Sequence, residues 1–340
     1  MSNTAAPARR ACRLLLPALS VIVPVVMGPA VTPAWAATAT CTVDGVTVTG
    51  SSIHGDDGPN TIVCWAIPSG VVVNGLGGDD TITVNSDAMA RKDTVGNRGE
   101  INGGPGDDTI TVRGGDGDAE GAAGAAGNTG EIYGGGGTDS VTVTGGRGKQ
   151  GHKTDLNCGT GGSGGIGNDG HISAHGRIRA TGGDGGEGAY DTSSDCDGGK
   201  GGDGNNERII GSGSGSVVEA VGGRGGNGLA YGEGGDGGIG NDGRITVEHG
   251  ADGIVAVRAT GGHGGDNNSF SPSVFNGGGG AGGDGNNRTV EILFAGRGHV
   301  QGGNGGNGDP AGAGGKGNDG TVTTTPRGNY DAPGGTPGHN

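Results

Sequence analysis

The chain has 340 residues, of which 91 are glycine, and its formal net charge at pH 7 is −15. Only 29% of the residues are hydrophobic and 3% are aromatic, which excludes a globule with one thick core. The 13 prolines are too few for a collagen triple helix, and the acidic charge argues against nucleic acid as a partner.

Residues 1–36 are typical of a secretory signal peptide. Arg9, Arg10 and Arg13 precede an apolar run, which is followed by the small-x-small cleavage site Ala34-Trp35-Ala36. A membrane anchor is the alternative, but prolines interrupt the apolar run and no stop-transfer charges follow it. We therefore expect a secreted, extracellular protein without stable membrane insertion.

The cysteines suit an oxidising compartment. Cys12 would leave with the signal peptide, so four cysteines remain, an even number that predicts two disulfides. The sequence alone permits three connectivities, and the repeat register favours Cys41 with Cys64 and Cys158 with Cys196. Neither pair has the short spacing of a zinc site.

An internal repeat organises the rest of the chain. A Gly-Asn dipeptide recurs at intervals of 31 to 45 residues, and a β-branched residue follows each Asn four positions later. The recurring asparagines are Asn97, Asn128, Asn168, Asn205, Asn241, Asn286 and Asn318, and the β-branched residues are Ile101, Ile132, Ile172, Ile209, Ile245, Val290 and Val322. This register predicts stacked coils with an asparagine ladder at one corner.

Between the corners, strands alternate with glycine runs. After residue 36 there are 38 Val and Ile against 4 Leu, a bias that favours strands. Each repeat also has two glycine-rich segments, called the glycine arms below, such as GGDGGEG at 182 and GGRGGNG at 222. Period-three glycine suits extended threefold helices, whereas flexible linkers are the alternative. The predicted fold is all-β: a parallel β-helix or β-roll solenoid with glycine-rich, polyglycine-II-like loops.

Four turn motifs in the first 145 residues carry a specific chemical signal: GDDGPNTI at 55, GLGGDDTI at 75, GGPGDDTIT at 103 and GGGGTDSVT at 134. The last two match the pattern G-G-x-G-x-D-x-U-x throughout. Over about residues 50–145 the chain thus resembles the hemolysin-type calcium-binding repeat (RTX) family, whose parallel β-rolls hold Ca²⁺ in their turns. Unlike that family, these copies are not consecutive, so at most one edge could carry calcium.

The resemblance implies a set of calcium ligands. It places Asp80, Asp108 and Asp139 at the metal-binding Asp position and Asn60 at the same position of the first motif. The implied set also includes the neighbouring acids Asp79 and Asp107 and the turn glycines Gly75, Gly78, Gly103, Gly106, Gly134 and Gly137. Asp and Gly are also ordinary turn residues, so a purely structural role is the alternative.

The sequence therefore predicts a signal peptide over 1–36, RTX-like repeats over 37–145, glycine-rich solenoid repeats over 146–325 and a disordered tail over 326–340. The predicted function is a secreted, non-catalytic, calcium-binding solenoid with a structural or adhesive role, for which an extracellular polysaccharide is a possible partner. A β-helix polysaccharide lyase or hydrolase is the enzymatic alternative. Ice binding, which outward Thr-x-Thr pairs suggest, is a third candidate function. Polar side chains of the arms, such as Asp184, are expected to tolerate substitution.

Overall fold

The structure is a computed structural model that describes residues 37–86, 94–154, 157–189, 195–230, 232–248, 255–267, 277–293, 296–325 and 329–339. The predicted signal peptide lies outside these residues. Within the described chain no helix is long and apolar enough to span a membrane. The described residues belong to one compact unit, Ala36–Asn340, and are all-β, with eighteen of their strands in one large sheet.

An antiparallel hairpin begins the fold. Its strands β1 (Ala39–Val43) and β2 (Val46–Gly50) pair with each other, and β1 also pairs antiparallel with β4 (Thr61–Cys64). The Cys41–Cys64 disulfide joins β1 to β4 and confirms the first predicted pairing. The hairpin thus covers one end of the solenoid, where stacked coils would otherwise expose an open strand edge.

Two stacks of parallel strands follow. The first stack comprises β3 (Ser52–His54), β5 (Val72–Asn74), β7 (Glu100–Pro105), β9 (Glu131–Gly136), β13 (His171–Thr181), β15 (Arg208–Val221), β17 (Arg244–Val247), β19 (Thr289–Ile292) and β21 (Thr321–Thr324). From β7 onward each of these strands follows an Asn corner, whereas Ile67 takes the corner position before β5. The second comprises β4, β6 (Thr81–Asn85), β8 (Thr109–Arg113), β10 (Asp139–Thr144), the later halves of β13 and β15, then β18 (Val255–Thr260), β20 (Arg297–Gln301) and β22 (Asn329–Asp331).

The core is a pair of β-branched ladders between these stacks. Along each strand buried and exposed residues alternate, because successive side chains point to opposite faces. In the first stack the predicted positions pair coil to coil, as Ile101 does with Ile132 and Ile172 with Ile209. In the second stack Ile62, Ile82 and Ile110 pair in the same way and are fully buried. The core is thus thin and distributed along the coils, in agreement with a composition that excludes one thick core.

The predicted asparagine ladder is also confirmed. Each Asn Nδ2 donates to the Oδ1 of the Asn in the next coil at 2.6–2.8 Å, from Asn97 through to Asn318. Most of these amides also donate to a backbone carbonyl two residues ahead, as Asn205 does to Glu207 at 2.9 Å. Six of the seven are fully buried, so the ladder satisfies polar groups that would otherwise lack partners.

The glycine arms hydrogen-bond to one another through their backbones. Gly183 N–H donates to the carbonyl oxygen of Gly165, Gly202 N–H to that of Gly183, and Gly223 N–H to that of Gly202. The same series of backbone hydrogen bonds, which alternates between the two arms, continues to Gly335. A Cβ built on Gly223 would overlap the carbonyl oxygen of Gly183, and most arm glycines have an equivalent clash. Glycine is therefore required here by close approach of neighbouring backbones. Four short strands lie in the arms as antiparallel pairs: β11 (Lys153–Thr154) with β12 (Asn157–Cys158), and β14 (Asp195–Cys196) with β16 (Leu229–Ala230).

Cys196 is disulfide-bonded, but its partner lies outside the side chains that the structure describes. The predicted Cys158–Cys196 pairing therefore stays a prediction.

The end of the chain differs from the sequence-based expectation of a disordered tail. Residues 329–331 form β22 on β20, and Gly335 and Gly338 donate to the preceding arm. Pro337 stands at the position of Gly305, whose N–H donates to the next coil. Because proline has no N–H, this arm lacks the donor that Gly305 provides at the equivalent position.

Candidate functional site

The turns between the two stacks place the predicted calcium-site residues at the same corner of successive coils. Gly78, Gly106 and Gly137 have positive φ (98°, 147° and 121°) and stack on one another, and a Cβ on Gly106 would overlap the carbonyl oxygen of Gly78. Only glycine accommodates both constraints. The tight turn brings the residues that follow it into the same place in each coil.

Asp80, Asp108 and Asp139 form a buried ladder, called the Asp ladder below. Asp80 N–H donates to Asp108 Oδ1 at 2.8 Å, and Asp108 N–H donates to Asp139 Oδ1 at 3.2 Å. Asn60 N–H extends the ladder by donating to Asp80 Oδ1 at 2.7 Å. The three carboxylates are only 1–2% exposed, so half of each carboxylate serves to join coils.

The other carboxylate oxygen, Oδ2, is buried without a hydrogen-bond partner in all three aspartates. A Cβ built on Gly75 would collide with Asp80 Oδ2 and with the carbonyl oxygen of Gly103, and one on Gly103 would collide with Asp108 Oδ2 and the Gly134 carbonyl. Two acceptor oxygens thus lie over one glycine in successive coils. A buried acceptor in this position is costly unless a proton or a cation accompanies it.

Burial also shifts the protonation of the ladder. Burial raises the pKa of Asp108 to about 6, and the charges of Asp80 and Asp139 contribute. The pKa values of Asp80 and Asp139 are raised by burial too, although hydrogen bonds from backbone N–H groups oppose the shift. The ladder therefore favours either proton uptake or a counter-cation.

The ladder ends for a visible reason. In the next coil Gly176 pairs with Asp139, so no carboxylate continues the row there. Ala174 also takes the place of Gly134. Later Gly-Asn-Asp motifs place their Asp one position earlier relative to the strand, as at Asp169 and Asp242. Asp242 Oδ1 lies 3.4 Å from Arg288 Nε and so forms an ion pair with a neighbouring coil.

The remaining predicted ligands have mainly coil-joining contacts. Asp79 Oδ1 accepts from Asp107 N–H at 2.9 Å, and Asp107 Oδ1 accepts from Thr138 N–H at 2.7 Å, both in exposed turns. Asn60 Oδ1 accepts from Asp56 N–H, and its Nδ2 donates to Asp44. Asn60 therefore already has partners for both ends of its amide.

Among the described residues, no three His, Cys, Asp or Glu side chains converge as a metal cluster. Ca²⁺ takes about six to eight oxygen ligands. The oxygens that fit a hard cation are the unpartnered Oδ2 atoms of the Asp ladder and the adjacent carbonyls of Gly103 and Gly134. Any calcium would thus depend on backbone oxygens as much as on acids.

The arms show a role for polar residues that the sequence did not predict. Asp184 Oδ1 accepts from Arg224 N–H in the next coil at 3.0 Å, and Asp236 and Asp266 accept from the following coil in the same way. These side chains bond backbone donors between the glycines. Each of these three aspartates follows a Gly-Gly pair, and that shared context was the available signal.

A groove on the first stack was also missed by sequence reasoning. It encloses about 560 Å³ and is lined by Glu131, Asp169, His171, Glu207 and other residues of successive coils. Burial raises the pKa of Asp169 and lowers that of His171, whose ring lies 5.7 Å from that of Tyr133. Spacing alone does not reveal these groups because they come from different repeats.

No protein-family model matches the chain, and no curated protein does either. A solved structure of the springtail antifreeze protein from Granisotoma rainieri, described as a nine polyproline type II helical bundle, shows 20% sequence identity. The match covers 67% of this chain and 90% of that chain, with a TM-score of 0.13.

Proposed function

We propose that this protein is a secreted, non-catalytic β-solenoid that binds calcium along the Asp ladder and has a structural or adhesive role outside the cell. The resemblance of its first turns to RTX repeats motivates the proposal. The observation that carries it is the row of three buried Oδ2 atoms without partners, each beside a site that only a glycine can occupy. The Cys41–Cys64 disulfide is compatible with an oxidising compartment.

Calcium would be held between successive coils, through Oδ2 of Asp80 with the Gly103 carbonyl and through Oδ2 of Asp108 with the Gly134 carbonyl. Oδ2 of Asp139, two coils from Asp80, would not share an ion with it. Calcium would supply positive charge to a ladder of buried carboxylates and so offset their mutual repulsion. The Oδ1 atoms would keep accepting hydrogen bonds from backbone N–H groups and so fix each carboxylate between two coils. Calcium would thereby join coils and stabilise the first part of the solenoid.

The glycine arms complete the proposed scaffold as polyglycine-II-like helices packed side by side. Their coil-to-coil backbone hydrogen bonds and the absence of space for Cβ atoms support this conformation. Such arms would give the solenoid a stiff, polar surface, which suits a structural or adhesive role better than a mobile linker would.

Calorimetric titration of calcium into the metal-free protein tests the proposal. We expect binding to the parent chain and a marked loss of affinity in Asp108→Asn, which removes one charge but keeps Oδ1. Asp184→Asn is the matched control, because Asp184 Oδ1 also accepts a backbone N–H from the next coil but lies in an arm. Equal calcium binding by both variants would contradict the assignment, as would the absence of heat with the parent chain.

A polysaccharide lyase or hydrolase is the second candidate, and the groove around Asp169 and His171 favours it. Both groups have shifted pKa values and face a cavity that crosses several coils. Incubation with polygalacturonate and alginate tests for chain cleavage. Turnover that His171→Ala abolishes, with an unchanged circular dichroism spectrum, would replace the non-catalytic proposal.

A further inference from the structure

We infer that the outward face of β4, β6, β8, β10 and the later half of β13 binds an extended polysaccharide that carries carboxylates. The inference rests on the proposed adhesive role and gives it a ligand class. It concerns a surface separate from the buried Asp ladder, so the two can fail independently.

The first observation is a regular array of hydroxyl groups. Thr61, Thr81, Thr109 and Ser140 pair in register across four parallel strands and form one outward row. Parallel strands lie about 4.8 Å apart, so the hydroxyl groups repeat at that spacing along the solenoid.

A neighbouring row contains Thr83, Thr111 and Thr142, which also pair in register. Val63 begins this row and is 39% exposed. The two rows hold no charged side chain over four coils, although 17% of the chain is charged. Hydroxyl groups both donate and accept hydrogen bonds, as the hydroxyl groups of a sugar do, so the array offers repeated partners to a sugar chain.

The second observation is an exposed tryptophan at one end of the array. Residues 61–65 alternate between exposed and buried, which places Trp65 on the outward side with Thr61 and Val63. Trp65 is 47% exposed, and large aromatic surfaces on a secreted protein often mark binding sites. Its flat indole can stack on the apolar face of a sugar ring while the indole N–H donates to a hydroxyl group.

The third observation is a basic groove at the other end. Arg177 and Arg179 continue the two hydroxyl rows on β13, pairing with Ser140 and Thr142. Together with Thr144 and Thr181 they line a depression of about 510 Å³. Both guanidinium groups lie near one carboxylate, Glu219, at 2.9 and 3.9 Å, so this pair of arginines keeps one uncompensated positive charge.

These three features together select the ligand. An arginine fork matches a carboxylate in geometry and charge, and the hydroxyl rows and Trp65 suit uncharged sugar surfaces. From β4 to β13 there are four strand steps, about 19 Å in all, which is long enough for several sugar units of a linear chain. The face therefore fits a uronate-containing polysaccharide laid along the solenoid axis.

Affinity electrophoresis of the protein tests the inference in gels that contain polygalacturonate or its fully methyl-esterified form. EDTA in the gel removes calcium, which polygalacturonate itself binds. We expect retardation by the acidic polymer and little by the ester. Equal retardation by both polymers, or by neither, would overturn the inference.

Variants locate the binding surface. We expect Trp65→Ala to weaken binding about tenfold, as loss of an aromatic hot spot does, and Arg177→Gln with Arg179→Gln to remove the preference for the acid form. Tyr330→Ala is the matched control, because Tyr330 is also 47% exposed but lies in the last coil. An equal loss in Tyr330→Ala would contradict the proposed face, and circular dichroism monitors folding of each variant.

Two further comparisons separate this inference from its competitors. Ice would use the same hydroxyl rows without needing the arginines, so thermal hysteresis that survives both the Trp65 and the arginine substitutions would overturn the polysaccharide assignment.

Asp108→Asn changes only the buried ladder, and we expect its retardation in EDTA to equal that of the parent chain. Loss of retardation in this variant, with folding intact, would place the binding site elsewhere.

Discussion

Replacement of Asn205 by Ala should cause a large loss of stability, because this residue lies in the middle of the asparagine ladder. Its Nδ2 donates to Asn241 Oδ1 at 2.7 Å and to the Glu207 carbonyl at 2.9 Å, and its Oδ1 accepts from Asn168 at 2.7 Å. Loss of three buried hydrogen bonds at about 1 kcal/mol each gives a decrease of about 3 kcal/mol in the free energy of unfolding.

Asn318→Ala is the matched control, since Asn318 ends the ladder and is only half-buried. It accepts from Asn286 at 2.7 Å and donates to the Gly320 carbonyl at 3.0 Å, so removal should cost about 1–2 kcal/mol. Urea unfolding followed by far-ultraviolet circular dichroism measures both variants. If Asn205→Ala costs no more than Asn318→Ala, the ladder does not stabilise the coils as argued.

Three further predictions concern the ladder, the arms and the cysteines. In metal-free buffer the folded chain binds a proton at Asp108 more tightly than the unfolded chain does, because the pKa of Asp108 is raised to about 6. The free energy of unfolding should therefore fall by up to about 3 kcal/mol as the pH rises from about 4 to 6. Asp108→Asn should flatten this decrease. Gly223→Ala should lower the melting temperature through backbone overlap, whereas Gly136→Ala, with open space around its Cα, should change it little; equal shifts would refute the packing argument. Peptide mapping of the oxidised protein should join Cys158 to Cys196, and a link from either to the N-terminal hairpin would contradict the predicted register.

The repeat register could be predicted from the sequence because one residue type recurs at one place. Asn97 and its successors identify the corner, and the β-branched residue four positions later identifies the buried position, which the structure confirms at Ile101 and Ile132. Strand alternation follows from the same pattern, since only one face of each strand can be buried.

Other features depend on contacts between distant repeats. Asp184 looks like a solvated charge in sequence, but it accepts the Arg224 N–H forty residues later. The end of the Asp ladder, where Gly176 pairs with Asp139, is likewise visible only when coils are stacked. The groove at His171 also requires residues from several coils, so no local motif reveals it.

The Asp ladder links sequence and proposed function most directly. Its glycines make room for the carboxylates, its Oδ1 atoms join coils, and its Oδ2 atoms are buried without partners. A proton or a cation such as calcium can satisfy such oxygens, and the two make opposite predictions for Asp→Asn variants. An amide would replace the proton's role, whereas it would weaken a cation site.

The most direct test of calcium binding is a crystal structure of the protein grown with calcium, with anomalous diffraction measured to locate the metal. The proposal predicts anomalous density beside Asp108 Oδ2, with oxygen ligands from the neighbouring coils, and no such density in crystals of Asp108→Asn. A ladder without metal density in saturating calcium, with Oδ2 of Asp108 hydrogen-bonded to the Gly134 carbonyl, would contradict the calcium proposal and assign the ladder to bound protons.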